Sequence, residues 1–355
     1  EDWDLIIADE IHKVQNPTSK ISKFLYKLGP KAEFRLGLTG TEFGGSGNQL
    51  NIFGQYKFLN QTVFGGRFDS FASRYSVPDN FGRPKRFINE EDLKNKIDSI
   101  SYRATDEVLT DLPDFIDITI DCPLTGEALK MYQEIEEGMW AKLDDTDLGD
   151  RGVIARVVIA QLTRLAQVTG GFVGGVIDMN DPEAEPEVHR IKGSSKSQAL
   201  ADILDGLNHE KDKVVVFGRF TPELAQAREV AENLGWKVGE ISGHSKSGLN
   251  KESKFNDEYD LLIVQIQAGG VGIDLTAANR CIYLSPDWSH SNMAQARKRI
   301  FRPGQTRKVT FYHLICPNSI DSRISDSLQS KENVVEWYKA EATRRQKEIF
   351  KKNEK

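Results

Sequence analysis

Cysteine is scarce in this chain: Cys122, Cys281 and Cys316 are its three thiols, far apart and with no CxxC. That spacing excludes a disulfide framework and a thiolate-bound structural metal. Each cysteine lies in an apolar, strand-like run, so buried free thiols are expected. No apolar run approaches the length needed to cross a bilayer, and the amino end, "EDWD", is acidic where a leader would be basic. The expectation is an intracellular protein with no membrane partner, in the cytoplasm or, in a eukaryote, the nucleus. An excess of basic charge is missing too: 47 Lys+Arg stand against 53 Asp+Glu, a formal net charge of -6. Nucleic-acid binding would therefore have to come from local placement of basic groups.

What is present is length and rhythm. The 355 residues suffice for two domains of ordinary size. Short β-rich runs alternate with helical patterns, the signature of parallel α/β units. "WDLIIAD" and "AEFRLGLTG" read as strands with the amphipathic "SKISKFLYKL" between them. An aromatic and glycine-rich segment without clear periodicity follows from Phe53 to Arg86, then the helix "EEDLKNKIDSI" and "FIDITIDCP", an edge strand opening a new domain. Two helices, "TGEALKMYQEIEEGMWAKL" and "VIARVVIAQLTRLAQV", flank the acidic break "DDTDLGD", and the polar "MNDPEAEPEVHRIKGSS" reads as an exposed excursion. Five strands are then expected in "KVVVFGRF", "WKVGEISG", "DLLIVQIQ", "RCIYLSP" and "KVTFYHLIC", before a charged helical tail from Lys331. "TEFGGSGNQL" places a Gly/Ser spacer, Gly44 to Gly47, that reads either as an engineered linker closing a deletion or as an ordinary flexible loop.

Three stretches carry chemistry. In "LIIADEIH" an apolar strand delivers Asp9 and Glu10 to a strand end, where ligands of α/β proteins bind. Asp9 there can hold Mg²⁺ through oxygen or water ligands, Glu10 can take a proton from water attacking a γ-phosphate, and His12 can relay phosphate occupancy. Two ordinary surface acids are the bland alternative. In "LGLTGTE" Thr39 and Thr41 flank Gly40 at another strand end, their hydroxyls able to bond the acids or a water network. In "NMAQARKRIFRPGQ" Gln295, Arg299 and Arg302 stand at i, i+4 and i+7, so on a helix ending at Pro303 and Gly304 they share one face. Two fixed guanidinium groups then project together, as needed to neutralise a transferring phosphoryl group. A solvated basic helix end complementing the dipole is the alternative there. Upstream, Gly269, Gly270 and Gly272 allow close backbone approach, and Asp274 either holds a ribose hydroxyl or caps the short helix suggested by "LTAAN". Trp288 either stacks on a ligand or packs in the core.

Taken in order, these residues resemble the Snf2-like branch of superfamily 2 helicases and translocases. "DEIH" resembles its Walker B or DEAH-type box, and "LTGTE" its Leu-Thr-Gly-Thr-Pro motif with Glu42 in place of proline. "VVVFGRF" is similar to motif IV, "QAGGVGIDLTAAN" to motif V and "QARKRIFRPGQ" to motif VI, while "QYKFLNQTVFG" and "YRATDEVLTDLPDF" look like the segments joining two lobes. The resemblance implies an α/β fold of two RecA-like lobes with parallel sheets flanked by helices, of P-loop NTPase type, with ATP and Mg²⁺ between the lobes and double-stranded DNA across them. Residues 1–111 would be the remainder of the first lobe, 112–335 the second lobe with a helical insertion and 336–355 a charged helix. Asp9 and Glu10 would be the metal and water acids, Arg299 and Arg302 the arginine fingers, and Gln295 their partner. Gly272 and Asp274 would lie near the nucleotide, and His12, Thr39 and Thr41 would couple hydrolysis to motion. DNA phosphates would meet Arg219, Ser242, Gly243, His244, Lys246, Gln265, Ala268 and Trp288. Gln265 stands where the family often has Ser or Thr. The compact spacing is similar to that of a bacterial or viral member.

One part of the pattern is absent. No GxxxxGK[ST] occurs in the chain, so the phosphate cradle with its lysine is missing and the first lobe is expected to be incomplete. Its inner strands would expose apolar surface unless a Walker A segment, from the same protein or a second chain, completes it. The isolated chain is then expected not to hydrolyse ATP. The leading expectation is an ATP-driven double-stranded DNA translocase, against a strand-separating DNA or RNA helicase and a non-hydrolysing nucleic-acid-binding module.

Overall fold

A computed structural model describes residues 2–40, 48–79, 84–103, 112–144, 151–176, 187–243, 245–267 and 272–330. Thr41, the spacer Gly44 to Gly47, most of the acidic break, His244, Ala268, Gly269, Gly270 and the tail from Lys331 lie outside them. The chain divides into two compact units, Glu1–Thr110 and Asp111–Lys355.

In the first unit, β1 (Trp3–Asp9) and β2 (Ala32–Leu38) pair in parallel, joined through α1 (Lys20–Leu28). Ser19 starts α1 by accepting the amide of Ser22. The aromatic segment proves helical: α2 (Ile52–Leu59), α3 (Gln61–Phe64) and α4 (Phe68–Tyr75) precede an antiparallel pair, β3 (Ser76–Pro78) with β4 (Pro84–Phe87), and α5 (Glu90–Asp98). Phe53, Phe64, Phe71 and Tyr75 pack ring on ring, Leu93 and Ile97 close the cluster, and the Tyr56 hydroxyl donates to the Ile97 carbonyl at 2.9 Å.

The β1–β2 sheet is bare on one face. In parallel register Leu5 lies beside Phe34 and Ile7 beside Leu36, and all four are exposed, Ile7 at 56% and Phe34 at 61%. Parallel sheets are ordinarily covered on both faces, so an exposed apolar pair of strands is unusual.

The second unit is built on a six-stranded sheet in the order β5-β12-β11-β8-β10-β9, parallel throughout. These strands are β5 (Phe115–Asp121), β8 (Val214–Gly218), β9 (Val238–Ile241), β10 (Leu261–Gln265), β11 (Arg280–Tyr283) and β12 (Val309–Ile315). β5 is an edge strand, as expected, and the wholly buried "VVVFG" of β8 lies in the interior of the sheet between β10 and β11. The chain runs from β8 to β9 and β10 on one side, then crosses to β11 and β12 on the other. The strand order therefore reverses at β8, the place where open α/β sheets form a ligand crevice.

Helices α8 (Ser195–Asp205) and α9 (Thr221–Asn233) cover one face of this sheet, and α10 (His290–Ile300) covers the other. A separate helical core joins α6 (Gly126–Asp144), α7 (Arg151–Thr169) and α11 (Ile320–Ser330). Against it lies a hairpin of β6 (Phe172–Val176) and β7 (Glu187–Arg190), so a stretch within the expected polar excursion is a paired strand. "LTAAN" forms a turn instead of a helix. No helix among the described residues is long and apolar enough to cross a membrane.

All three thiols are free and buried. Desolvation pushes Cys122 up to about 11 and Cys281 and Cys316 higher still. At pH 8 about one Cys122 thiol in a thousand is ionised even before access is considered. A thiol-titrating reagent at that pH is therefore expected to find no reactive cysteine in the native chain and three in denaturant. One fast-reacting thiol before unfolding would contradict the packing.

Candidate functional site

β1 ends at Asp9, in register with Leu38, so Thr39 leaves β2 beside it. Asp9 is exposed, and its Oδ1 accepts the Glu10 amide at 2.9 Å. Glu10 takes a left-handed conformation, φ 52° and ψ 47°, unusual for a residue with a Cβ. The turn is pinned from both sides. A Cβ on Gly37 would sit 2.6 Å from Ile11 Cδ1, and one on Gly54 would sit 1.9 Å from the Val14 carbonyl oxygen, so both glycines let the Ile11–Val14 helical turn seat closely. His12 Nδ1 then lies 3.1 Å from Glu10 Oε2 and 2.9 Å from Thr39 Oγ1. The structure thus brings Asp9, Glu10, His12 and Thr39 to one strand end.

No group of three or more His, Cys, Asp or Glu among the described residues is arranged to hold a metal ion. A single exposed carboxylate at Asp9 still fits Mg²⁺, which keeps several waters and takes its remaining ligands from substrate phosphates.

In the second unit the expected residues fall into two groups at opposite ends of the sheet. At the carboxyl ends, Arg219 follows β8, Ser242 and Gly243 follow β9, and Gln265 ends β10. Gln265 links this group: its Nε2 donates to the Arg219 carbonyl, and its Oε1 accepts from the Gly243 amide, each at 3.4 Å. Lys246 is exposed nearby, whereas Ser242 is buried with its amide closing a turn onto the Ser245 carbonyl at 2.7 Å, so its hydroxyl is not offered at the surface. Trp288 packs on the helical core, and the Arg219 guanidinium lies 5.0 Å over its ring. Trp288 is thus half-buried against the core, with a protein cation over its ring.

At the amino ends lie Asp274, Arg299 and Arg302. α10 starts beside Trp288 and runs back along the sheet, so Phe301 just past it meets Phe115 at the start of β5, centroids 5.1 Å apart. Arg299 sits in the last turn, its carbonyl accepting the Leu275 amide at 3.0 Å and its Nη1 reaching the Ile273 carbonyl at 3.4 Å. Gln295 is one turn earlier, half-buried. Arg302 differs from expectation. α10 stops at Ile300, and Arg302 opens a turn in which the Gln305 amide donates to its carbonyl at 3.0 Å, with Gly304 at φ 100°. Pro303 disfavours a helical residue before it, and Pro-Gly at the centre of a turn suits type II. Arg302 is therefore exposed and off the helix, so the shared face extends only to Gln295 and Arg299.

Asp274 caps the turn by accepting the amide and hydroxyl of Thr276 at 2.9 and 2.8 Å. Desolvation pushes its carboxyl up, but the Thr276 bonds and the charges of Arg302 and Lys254 outweigh this and hold it below its ordinary value. Gly272 is exposed just before it. Arg297, in the same basic run, is committed elsewhere: both its Nη atoms donate to Asp117 at 3.0 Å.

Three residues of this architecture escaped sequence reasoning. Gln305 is buried, its Nε2 donating to the carbonyls of Thr276, Ala278 and Ile300, and it fastens the Arg302 turn to the Asp274 turn. Buried Asp287 accepts from the Ser289 amide at 2.7 Å and from Gln267 Nε2 at 3.1 Å, setting the start of α10. The Asp-x-Ser spacing before a helix was its only signal. Glu223, third residue of α9, had none.

The family description "SNF2-related domain" matches residues 1–171, and "Helicase conserved C-terminal domain" matches residues 195–304. The SWI/SNF chromatin-remodeling complex subunit snf22 of Schizosaccharomyces pombe is 27% identical over 346 residues, 93% of this chain and 20% of its own length. The DNA repair and recombination protein RDH54 of Saccharomyces cerevisiae is 26% identical over 367 residues, 97% of this chain and 38% of its own. Among solved structures, the Sulfolobus solfataricus SWI2/SNF2 ATPase core in complex with dsDNA is 26% identical, with a TM-score of 0.46, over 94% of this chain and 67% of that one. The chain spans between 20% and 38% of the length of these two curated relatives.

Proposed function

Because this chain belongs to the SNF2-related family, we propose that it is part of an ATP-driven motor that moves on double-stranded DNA or remodels protein–DNA complexes. The observation that carries the reading lies in the second unit. One helix, α10, joins a basic edge at the carboxyl ends of the strands to a guanidinium at their amino ends. Eleven helical residues make a stiff rod of about 16 Å, so nucleotide contacts at Arg299 can be felt at Trp288 and Arg219. DNA contacts of that edge would be to phosphate and not to bases, since Arg219 already occupies the Trp288 ring and the charges of Arg219 and exposed Lys246 suit a backbone of any sequence.

In the first unit, bound Mg²⁺ would neutralise charge on the ATP phosphates, and Asp9 would hold it through water. Glu10 would take the proton of the attacking water, with its carboxylate held against His12 and, through it, Thr39. Arg299, with Arg302 beside Asp274, would stabilise the charge on the transferred group. The phosphate loop would come from a further segment of the same protein or from a second chain. The bare face formed by Leu5, Ile7, Phe34 and Leu36 supports this, because the helices connecting further strands of the same sheet would cover it.

Steady-state hydrolysis tests both parts. This chain alone is expected to turn over ATP negligibly, with or without duplex DNA. Adding the GxxxxGK[ST]-bearing segment should produce duplex-stimulated turnover without strand displacement. Robust DNA-stimulated hydrolysis by the chain alone would refute the second-segment proposal, and a complemented protein indifferent to duplex would refute the motor.

A further inference from the structure

Resting on the duplex-DNA reading above, we propose that Glu223 is a positioning residue: its buried carboxylate holds the turn after β8 in the conformation that presents Arg219 to a DNA phosphate. Glu223 is only 3% exposed. Its Oε1 accepts the main-chain amides of Arg219 and Phe220, the latter at 2.9 Å, and its Oε2 accepts the Ser285 hydroxyl at the end of β11. The carboxylate is packed against glycine on two sides. A Cβ on Gly218 would lie 3.0 Å from Oε1, and one on Gly170 would lie 3.1 Å from Oε2.

Each part of Arg219 is consequently fixed by a different group. Its amide is held by Glu223 and its carbonyl by Gln265, while its guanidinium lies 4.9 Å over Phe220 and 5.0 Å over Trp288. Nη1 is buried, with no hydrogen-bond partner among the described residues. A half-buried guanidinium stacked on two rings, its main chain clamped at both ends, is preorganised to turn its accessible edge to an oxygen acceptor outside the protein. A merely connecting turn would not require a buried acid, since an exposed acid at the third helical position caps a helix equally well. Lys196, also 3% exposed, lies near enough for its charge to offset that of Glu223, while burial still pushes the Glu223 carboxyl up from its ordinary value.

The sign of the effect makes the test decisive. Glu223→Gln removes a negative charge from a DNA-binding edge, so simple electrostatics predicts tighter binding. Loss of positioning predicts the reverse. Anisotropy titrations of a short labelled duplex with the chain, across a salt series, are expected to show Glu223→Gln weakening binding by about tenfold. The slope of log affinity against log salt should fall by about one, as it does in Arg219→Ala. The double variant should be no weaker than Arg219→Ala alone. Should Glu223→Gln fail to fold, Ser285→Ala, which withdraws one donor from the carboxylate, is expected to shift affinity and slope in the same direction by less. Binding by Glu223→Gln or, in its place, Ser285→Ala that equals or exceeds the unaltered chain would overturn the proposal, as would additive losses in the double variant. Absence of duplex binding by the unaltered chain would overturn the DNA reading itself, which no outcome among the variants can mimic.

Discussion

Arg299→Ala, in a form of the protein that carries its phosphate loop, is expected to lower DNA-stimulated ATP hydrolysis by about a thousandfold. A guanidinium aimed at a transferring phosphoryl group works by charge that needs no rearrangement, and Arg299 is held for such a task. Its carbonyl is fixed by the Leu275 amide and its Nη1 by the Ile273 carbonyl, in the last turn of a helix packed on the sheet. Arg299→Lys should recover little, because lysine keeps the charge without the planar fork. Arg302→Ala should cost less than Arg299→Ala, since Arg302 sits exposed in the turn beyond the helix. Duplex affinity should stay within about twofold in all three variants, since Arg219, Gly243 and Gln265 lie at the other end of the strands. Saturating-duplex hydrolysis rates set beside anisotropy titrations give both quantities. An Arg299→Ala enzyme within tenfold of the unaltered protein would remove the arginine from the chemistry.

What the sequence showed and what it hid follow from the range of the interactions involved. β8 and β10 were legible because strands buried on both faces read as unbroken apolar runs, "VVVF" and "LLIV". α10 was legible as a helix, yet its end was not. Periodicity placed Arg302 on the helix, while the proline after it acts backwards on the backbone of Arg302 itself. "LTAAN" has helical composition, but the Asp274 carboxylate captures the Thr276 amide and hydroxyl and so competes with the helix locally. The aromatic segment showed no period because its helices are eight, four and eight residues long. The placing of Asp9, Glu10 and Thr39 at strand ends was legible because apolar runs stop at these residues. Glu223 was not: its carboxylate meets Ser285, 62 residues away, and no local pattern records that.

The same blindness applies to the interaction with the largest expected effect on stability. Lys196 Nζ lies 2.5 Å from Asp321 Oδ2, with their side chains 4% and 1% exposed. Desolvation alone would lower the Lys196 ammonium, yet the Asp321 carboxylate outweighs it and holds the lysine charged, above its ordinary value. Asp321 also accepts the Thr169 hydroxyl at 2.8 Å and the Cys316 amide at 3.3 Å, and Lys196 donates to the Leu284 carbonyl at 2.7 Å. The pair therefore knits α8, α11, the end of α7 and the end of β11, next to the residue that receives Glu223. Asp321→Ala leaves a dry ammonium hydrogen-bonded to the Leu284 carbonyl, with the Glu223 charge near it but its own ion-pair partner gone, and is expected to cost about 3 to 5 kcal/mol, lowering the thermal midpoint by about 10 °C. Lys196→Met should cost less, because a buried carboxyl can take up a proton and keep its hydroxyl and amide donors. Replacing both, Lys196→Met with Asp321→Leu, should recover most of the loss, since the penalty belongs to the stranded charge and not to the missing pair. Urea denaturation of these four proteins, with Asp321→Leu alone as the fifth, completes the cycle. A double variant no more stable than Asp321→Ala would mean that the pair itself, and not the avoidance of an orphaned ion, holds these elements together.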